Sequence, residues 1–78
     1  MDQYTVRFEP SGNHWILTGP VGAKGFLRFT STKDAASHAR WAARSHGGFL
    51  TVYGSEGGLL KEEEIKPGPN HEIARIQT

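Results

Sequence analysis

A chain of 78 residues makes one domain, and folding at this size removes only about 60% of the surface that the unfolded chain exposes, so the core is thin. With 36% hydrophobic and 22% charged residues the composition is globular rather than disordered, and no apolar run approaches the ~20 residues needed to span a bilayer. The absence of cysteine excludes disulfide staples and thiolate ligands and fits a reducing cytoplasm, and a formal net charge of +1 is too small to steer the chain to nucleic acid by itself. The opening Met1-Asp2-Gln3-Tyr4 has neither the basic nor the apolar region of a signal peptide, so a soluble, cytoplasmic protein is expected.

Tyr4-Thr5-Val6-Arg7-Phe8-Glu9 alternates apolar and polar residues, the period of a half-buried strand, and Pro10-Ser11-Gly12-Asn13 supplies a turn. His14 to Thr18 is then a second strand, antiparallel to the first across a short loop. The glycine-rich stretch Gly19 to Gly25 reads as a flexible loop, and Phe26-Leu27-Arg28-Phe29-Thr30 as a third strand. Ser31-Thr32-Lys33-Asp34 carries helix-capping hydroxyls and a carboxylate suited to the positive end of a helix dipole. The spacing predicts a helix over Lys33 to Ser45 that ends at Gly47. Ala35, Ala36, Ala39, Ala42, Ala43 and His46 share one arc of it, and alanines let a helix lie close on a sheet. Phe49 to Tyr53 makes a fourth strand, Gly54 to Gly58 a turn, and Leu59-Leu60-Lys61 a short edge segment.

The expectation is therefore an α+β domain over residues 1–65, a three- to four-stranded antiparallel sheet with one helix on one face in the order β-β-β-α-β. Residues 66–78, with Lys66-Pro67-Gly68-Pro69-Asn70 at their start, are a tail that frays or docks on the sheet.

A tyrosine-initiated strand, the Pro-Ser-Gly turn, Trp15 opening the next strand, Thr32-Lys33-Asp34 before a helix with Ala39-Arg40, and Gly48-Phe49-Leu50-Thr51-Val52-Tyr53-Gly54 stand together in this chain. The pattern resembles the small prokaryotic family catalogued as domain of unknown function 2188, and covers roughly Tyr4 to Lys61. The resemblance implies a β-β-β-α-β fold with Trp15 in the core and implies no activity.

Chemistry-bearing constellations are weak. A phosphate-cradling loop needs Ser or Thr after its lysine and a helix beyond, whereas Lys24-Gly25 leads into a strand. Of the four histidines, His38 and His46 lie eight residues apart, about 12 Å of helix rise, too far to share an ion. Ser11, Ser31, Ser37, Ser45 and Ser55 fall at turns, caps or exposed helix positions with no triad in view, and Glu62-Glu63-Glu64 reads as a solvated charge run. Neither an enzyme nor any cofactor, metal or small-molecule ligand is expected.

Two surfaces remain as candidates. Strand alternation turns Val6, Phe8, Trp15, Leu17, Leu27, Phe29, Leu50 and Val52 toward the helix and sends Arg7, Ile16, Phe26, Arg28, Phe49 and Tyr53, with Thr5 and Thr51, to the opposite face. That face is apolar enough to suit a protein partner or a second copy, and its aromatic and arginine residues also suit single-stranded nucleic acid. On the helix, Lys33, Arg40 and Arg44 gather on one ridge with Trp41 beside them, a secondary interaction surface. A non-enzymatic binding or oligomerisation module acting through protein contacts is the leading expectation, with a nucleic-acid accessory protein as the alternative.

Overall fold

The alternating sequence that starts at Asp2 forms the strand about which the other elements are arranged. The computed structural model describes residues 2–68. In it β1 (Asp2–Glu9) is the middle member of a five-stranded sheet of order β3-β2-β1-β4-β5. Its other strands are β2 (His14–Thr18), β3 (Phe26–Phe29), β4 (Gly48–Tyr53) and β5 (Leu59–Ile65), and the single helix of the described residues, α1 (Thr32–Ala42), lies across one face.

The α+β class and the single covering helix match the sequence reading, but strand number and direction differ from it. The sheet is mixed, not antiparallel: β1 pairs with β2 antiparallel and with β4 parallel, Thr5 opposite Thr51 and Val6 opposite Val52. The reason is connectivity. β1, β2 and β3 form an antiparallel meander, so β3 runs with β1; α1 carries the chain back along the face, and the strand that follows must run the same way as β3 and hence as β1. The fifth strand is also longer than the short edge segment expected. β5 spans Leu59 to Ile65 and includes all three glutamates, paired antiparallel to β4 with a register shift between Val52 and Tyr53. The turn that joins them is closed by Gly54 donating to the Gly58 carbonyl at 2.7 Å. Charged residues are tolerated there because an edge strand has one pairing neighbour and gains protection from charge.

The helix begins as the sequence implies, with the Ser31 hydroxyl accepting from the Asp34 amide at 3.1 Å. It ends at Ala42 rather than Ser45, and residues 43–46 form a turn closed by the Gly47 amide on the Ala43 carbonyl at 2.7 Å. Gly47 takes φ 77°, the left-handed conformation common just past a helix end. Because the helix stops before His46, that side chain leaves the alanine arc and is exposed; Ala35, Ala36, Ala39 and Ala43 are buried, and Ala42 only partly.

The core between helix and sheet holds these alanines with Tyr4, Val6, Leu17, Leu50, Val52 and Ile65, and Val21 reaches into it from the glycine-rich loop. That loop, expected to be flexible throughout, is anchored at Val21. Trp15, placed in the core by both alternation and resemblance, is half-buried against its margin, its ring 4.9 Å from that of Phe8. Tyr4 is instead the largest fully buried side chain. Burial raises its phenol pKa, helped by the nearby Asp2 carboxylate. After β5 the chain passes the helix end, where the Gly68 amide donates to the Arg44 carbonyl at 3.1 Å. Of the tail expected over residues 66–78, to fray or to dock on the sheet, residues 69–78 lie outside the described residues.

Urea denaturation should rank three substitutions. Tyr4→Ala should cost about 3–5 kcal/mol, comparable to the whole stability of so small a domain. Ala39→Gln should cost about 1–3 kcal/mol, because the helix lies too close to the sheet for a longer side chain. Trp41→Ala, with 59% of that residue already exposed, should change the midpoint least.

Candidate interaction surface

The side chains of β1 that do not point at the helix emerge on the other side of the sheet, and no second layer covers this outer face among the described residues. The pairing register sets its pattern in three rows. Arg28, Ile16 and Arg7 stand side by side on β3, β2 and β1, and the row continues onto β4 at Tyr53. Phe26, Thr18, Thr5, Thr51 and Glu62 cross all five strands as the middle row. Gln3, Phe49 and Glu64 make the last, on β1, β4 and β5. The structure thus brings Arg7, Ile16, Phe26, Arg28, Phe49 and Tyr53 onto one face.

Phe49 is 44% exposed, whereas Ile16, Phe26 and Tyr53 are half-buried by their neighbours. The two arginines lie down on aromatic rings rather than projecting. The Arg7 guanidinium sits 4.3 Å from the Tyr53 ring centre and that of Arg28 5.2 Å from Phe26. Arg28 also meets the Glu9 carboxylate at 3.5 Å. Gln3 donates to the Thr51 hydroxyl at 3.2 Å, tying β1 to β4 across the same face. The face therefore carries apolar rings, with Arg28 on β3, Arg7 and Glu9 on the middle strand, and two further acids on β5. Glu62 and Glu64 belong to it as fully as the arginines, and the sequence reading missed them. The signal was there only in combination: β5 had to be recognised as a strand before its alternation could divide the glutamates between faces.

Glu63, between them, points the other way. Arg40 leaves the helix ridge to meet it with two parallel hydrogen bonds, Nε to Oε2 at 2.8 Å and Nη2 to Oε1 at 2.9 Å, and the Lys61 amine adds a contact at 3.3 Å. The Arg40 hydrogen bond is the main cause that holds the Glu63 carboxyl down at about 2, well below its ordinary value, and it raises the Arg40 guanidinium in turn. Arg40 is thus a bolt between α1 and the edge strand. The expected ridge separates accordingly. Lys33 stays with Arg40 beside a shallow groove floored by Ala36 and Val52 and walled by Leu60 and Lys61. Arg44, past the helix end, folds back so that its guanidinium lies 4.0 Å from the Trp41 ring centre and Nη1 donates to the Trp41 carbonyl at 2.6 Å. His38 stands between Trp41 and Phe29, 5.8 and 5.5 Å from their ring centres.

Among the described residues no group of three or more His, Asp or Glu side chains is arranged to hold a metal ion, and no helix is long and apolar enough to cross a membrane.

The Arg40–Glu63 bond makes stability depend on acid in a defined direction. Above about pH 4.5 Glu63 is ionised in folded and unfolded chains alike and the bond contributes fully. As pH falls from about 4.5 to about 2 the unfolded chain takes up the proton first and the contribution is lost. Urea midpoints measured through that window should fall less steeply for Glu63→Gln than for the native chain. The difference should be modest, because both side chains are partly exposed.

In comparisons with known proteins, no family model, no curated protein and no solved structure matches the chain.

Proposed function

We propose that this protein is a small non-enzymatic binding or oligomerisation module whose working surface is the outer face of the sheet, and that the occupant of that face is a protein. The observation that carries the reading is the co-facial set Ile16, Phe26, Phe49 and Tyr53 on a sheet face that no other element of the described residues covers. Apolar side chains gathered on one face of so small a domain gain by being removed from water, at about 25 cal/mol per Å².

Charge favours protein over nucleic acid. A single-strand platform leaves ring faces open for bases and surrounds them with cations. Here Arg7 and Arg28 cover Tyr53 and Phe26, Glu9 meets Arg28, and Glu62 and Glu64 flank the exposed Phe49. Mixed charge around an apolar centre is instead the composition of a protein interface with a polar rim. The likeness of Tyr4 to Lys61 to the family catalogued as domain of unknown function 2188 supports a shared fold and brings no activity with it. A chain without cysteine suits a reducing compartment, and we place its work in the cytoplasm on that ground.

Ile16→Glu combined with Phe49→Glu should abolish association, read by sedimentation velocity, and leave the far-ultraviolet circular dichroism of the helix unchanged. Fluorescence anisotropy with a labelled single-stranded oligonucleotide tests the competing reading. Binding that weakens with salt, and that Arg7→Ala and Arg28→Ala reduce, would overturn the protein assignment in favour of nucleic acid.

A further inference from the structure

Of the charges on the outer face, Arg28 and Glu64 lie at opposite corners, Glu62 stands on the β5 edge, and Arg7 stands on the middle strand with Glu9, the partner of Arg28, beyond it. With Thr5 as the centre, at the middle row of the middle strand, Arg7 lies one row away along β1, a distance of about 7 Å. Glu62 lies two strands away across β4 to β5, about 10 Å. Arg28 is two strands to the other side and one row up; Glu64 is two strands toward β5 and one row down. Arg28 and Glu64 therefore mark the ends of one diagonal.

Two copies meeting by this face are related by a twofold axis lying in the plane between them. An axis along the strands stacks Arg7 on the Arg7 of the other copy. One across the strands stacks Glu62 on Glu62, and the axis along the Arg28 to Glu64 diagonal stacks each of those on itself. The remaining diagonal, halfway between the strand and row directions on the Tyr53 side of Thr5, exchanges the row direction with the strand direction. It sets Arg28 over Glu64, Arg7 over Glu62 and Ile16 over Phe49, each within about 3–4 Å by the sheet spacings. Of these four axes it alone sets both arginines over the glutamates of β5; Glu9, bonded to Arg28 within its own chain, falls past the β5 edge, and the exposed Phe49 gains an aliphatic partner in the same step.

Resting on the reading of this face as a protein surface, we infer that its occupant is a second copy of the chain, with the two sheets crossed at close to a right angle, one of the preferred angles for sheets packed face to face. The overlap of two such faces removes on the order of 1,000 Å² from water in all, the low end for a specific interface, so the dimer is weak and dissociates on dilution. Charge pairs near its rim make it salt-sensitive.

The test is a charge exchange. Sedimentation equilibrium would be run on the native chain, on Arg7→Glu with Arg28→Glu, on Glu62→Lys with Glu64→Lys, and on an equal mixture of the two variants, with circular dichroism as the check on folding. Each variant alone should associate roughly tenfold more weakly than the native chain or worse, and the mixture should recover association as a heterodimer to within roughly threefold. A native chain that remains monomeric at every concentration overturns the second copy as occupant, while an unlike protein remains the reading of the face. A native dimer that Ile16→Glu with Phe49→Glu dissociates, but that the variant mixture does not restore, overturns the crossed pairing and keeps the face. A dimer that none of these substitutions disturbs overturns both.

Discussion

The sheet is organised around the place where Tyr4 goes. Its ring is wholly buried on the middle strand, and the backbone on both sides passes close to it as glycine. A Cβ at Gly19 would lie 2.9 Å from the Tyr4 ring and 2.9 Å from the Gln3 carbonyl oxygen, and one at Gly48 would lie 2.5 Å from the Asp2 carbonyl oxygen and 3.4 Å from the ring. Distances below about 3 Å are not tolerated by real side chains, so both neighbours of β1 are glycine, Gly19 because it passes the tyrosine ring and the Gln3 carbonyl and Gly48 because it passes the Asp2 carbonyl. Gly19 follows the end of β2 and Gly48 opens β4. The two close approaches to β1 therefore lie where β2 gives way to the loop before β3 and where the chain re-enters the sheet after the helix, and with that register the outer-face side chains acquire their rows. The alanine stripe of α1 then lies close enough to close the core.

Local pattern carried the sequence reading a long way. The first three strands, the Ser31 cap, the alanine side of the helix and the fourth strand all follow from periodicity and from residues whose chemistry is short-ranged. Alternation also sorted Ile16, Phe49 and Tyr53 away from Val6, Leu17 and Leu50. What escaped was non-local. Leu59 to Ile65 contains three successive glutamates, poor strand formers, and an irregularity near its start that hides the alternation, so only its pairing with β4 identifies it as a strand. Without β5 there was no reason to join Arg40 to Glu63, which are 23 positions apart. Periodicity marks Tyr4 only as the opening of a strand, and its depth depends on Gly19, far from it in sequence.

The three glutamates of β5 show how one run of like charge can serve different ends. Glu63 faces the helix, where Arg40 and Lys61 neutralise it and tie the edge of the sheet to α1. Glu62 and Glu64 face outward and give the other side its acidic flank. All three occupy an edge strand, and charge on an exposed edge discourages the addition of a further strand. Growth of the sheet at its edge is thereby opposed, whereas contact through its outer face is not.

The parallel pairing of β1 with β4 also has a consequence in time. Thr5 and Thr51 are neighbours in the sheet but 46 positions apart in the chain. The antiparallel ribbon of β1, β2 and β3 closes through local loops, yet the free side of β1 has no partner until the helix has formed and crossed back. Closing that long loop costs entropy before any contact repays it, so the pairing of Gly48 beside Asp2 is entropically the most costly step in assembling this part of the sheet. On the ribosome the first three strands emerge well before that partner is made. Until then β1 is an exposed edge, and a nascent chain whose first three strands have emerged without Gly48 is open to pairing with the wrong strand.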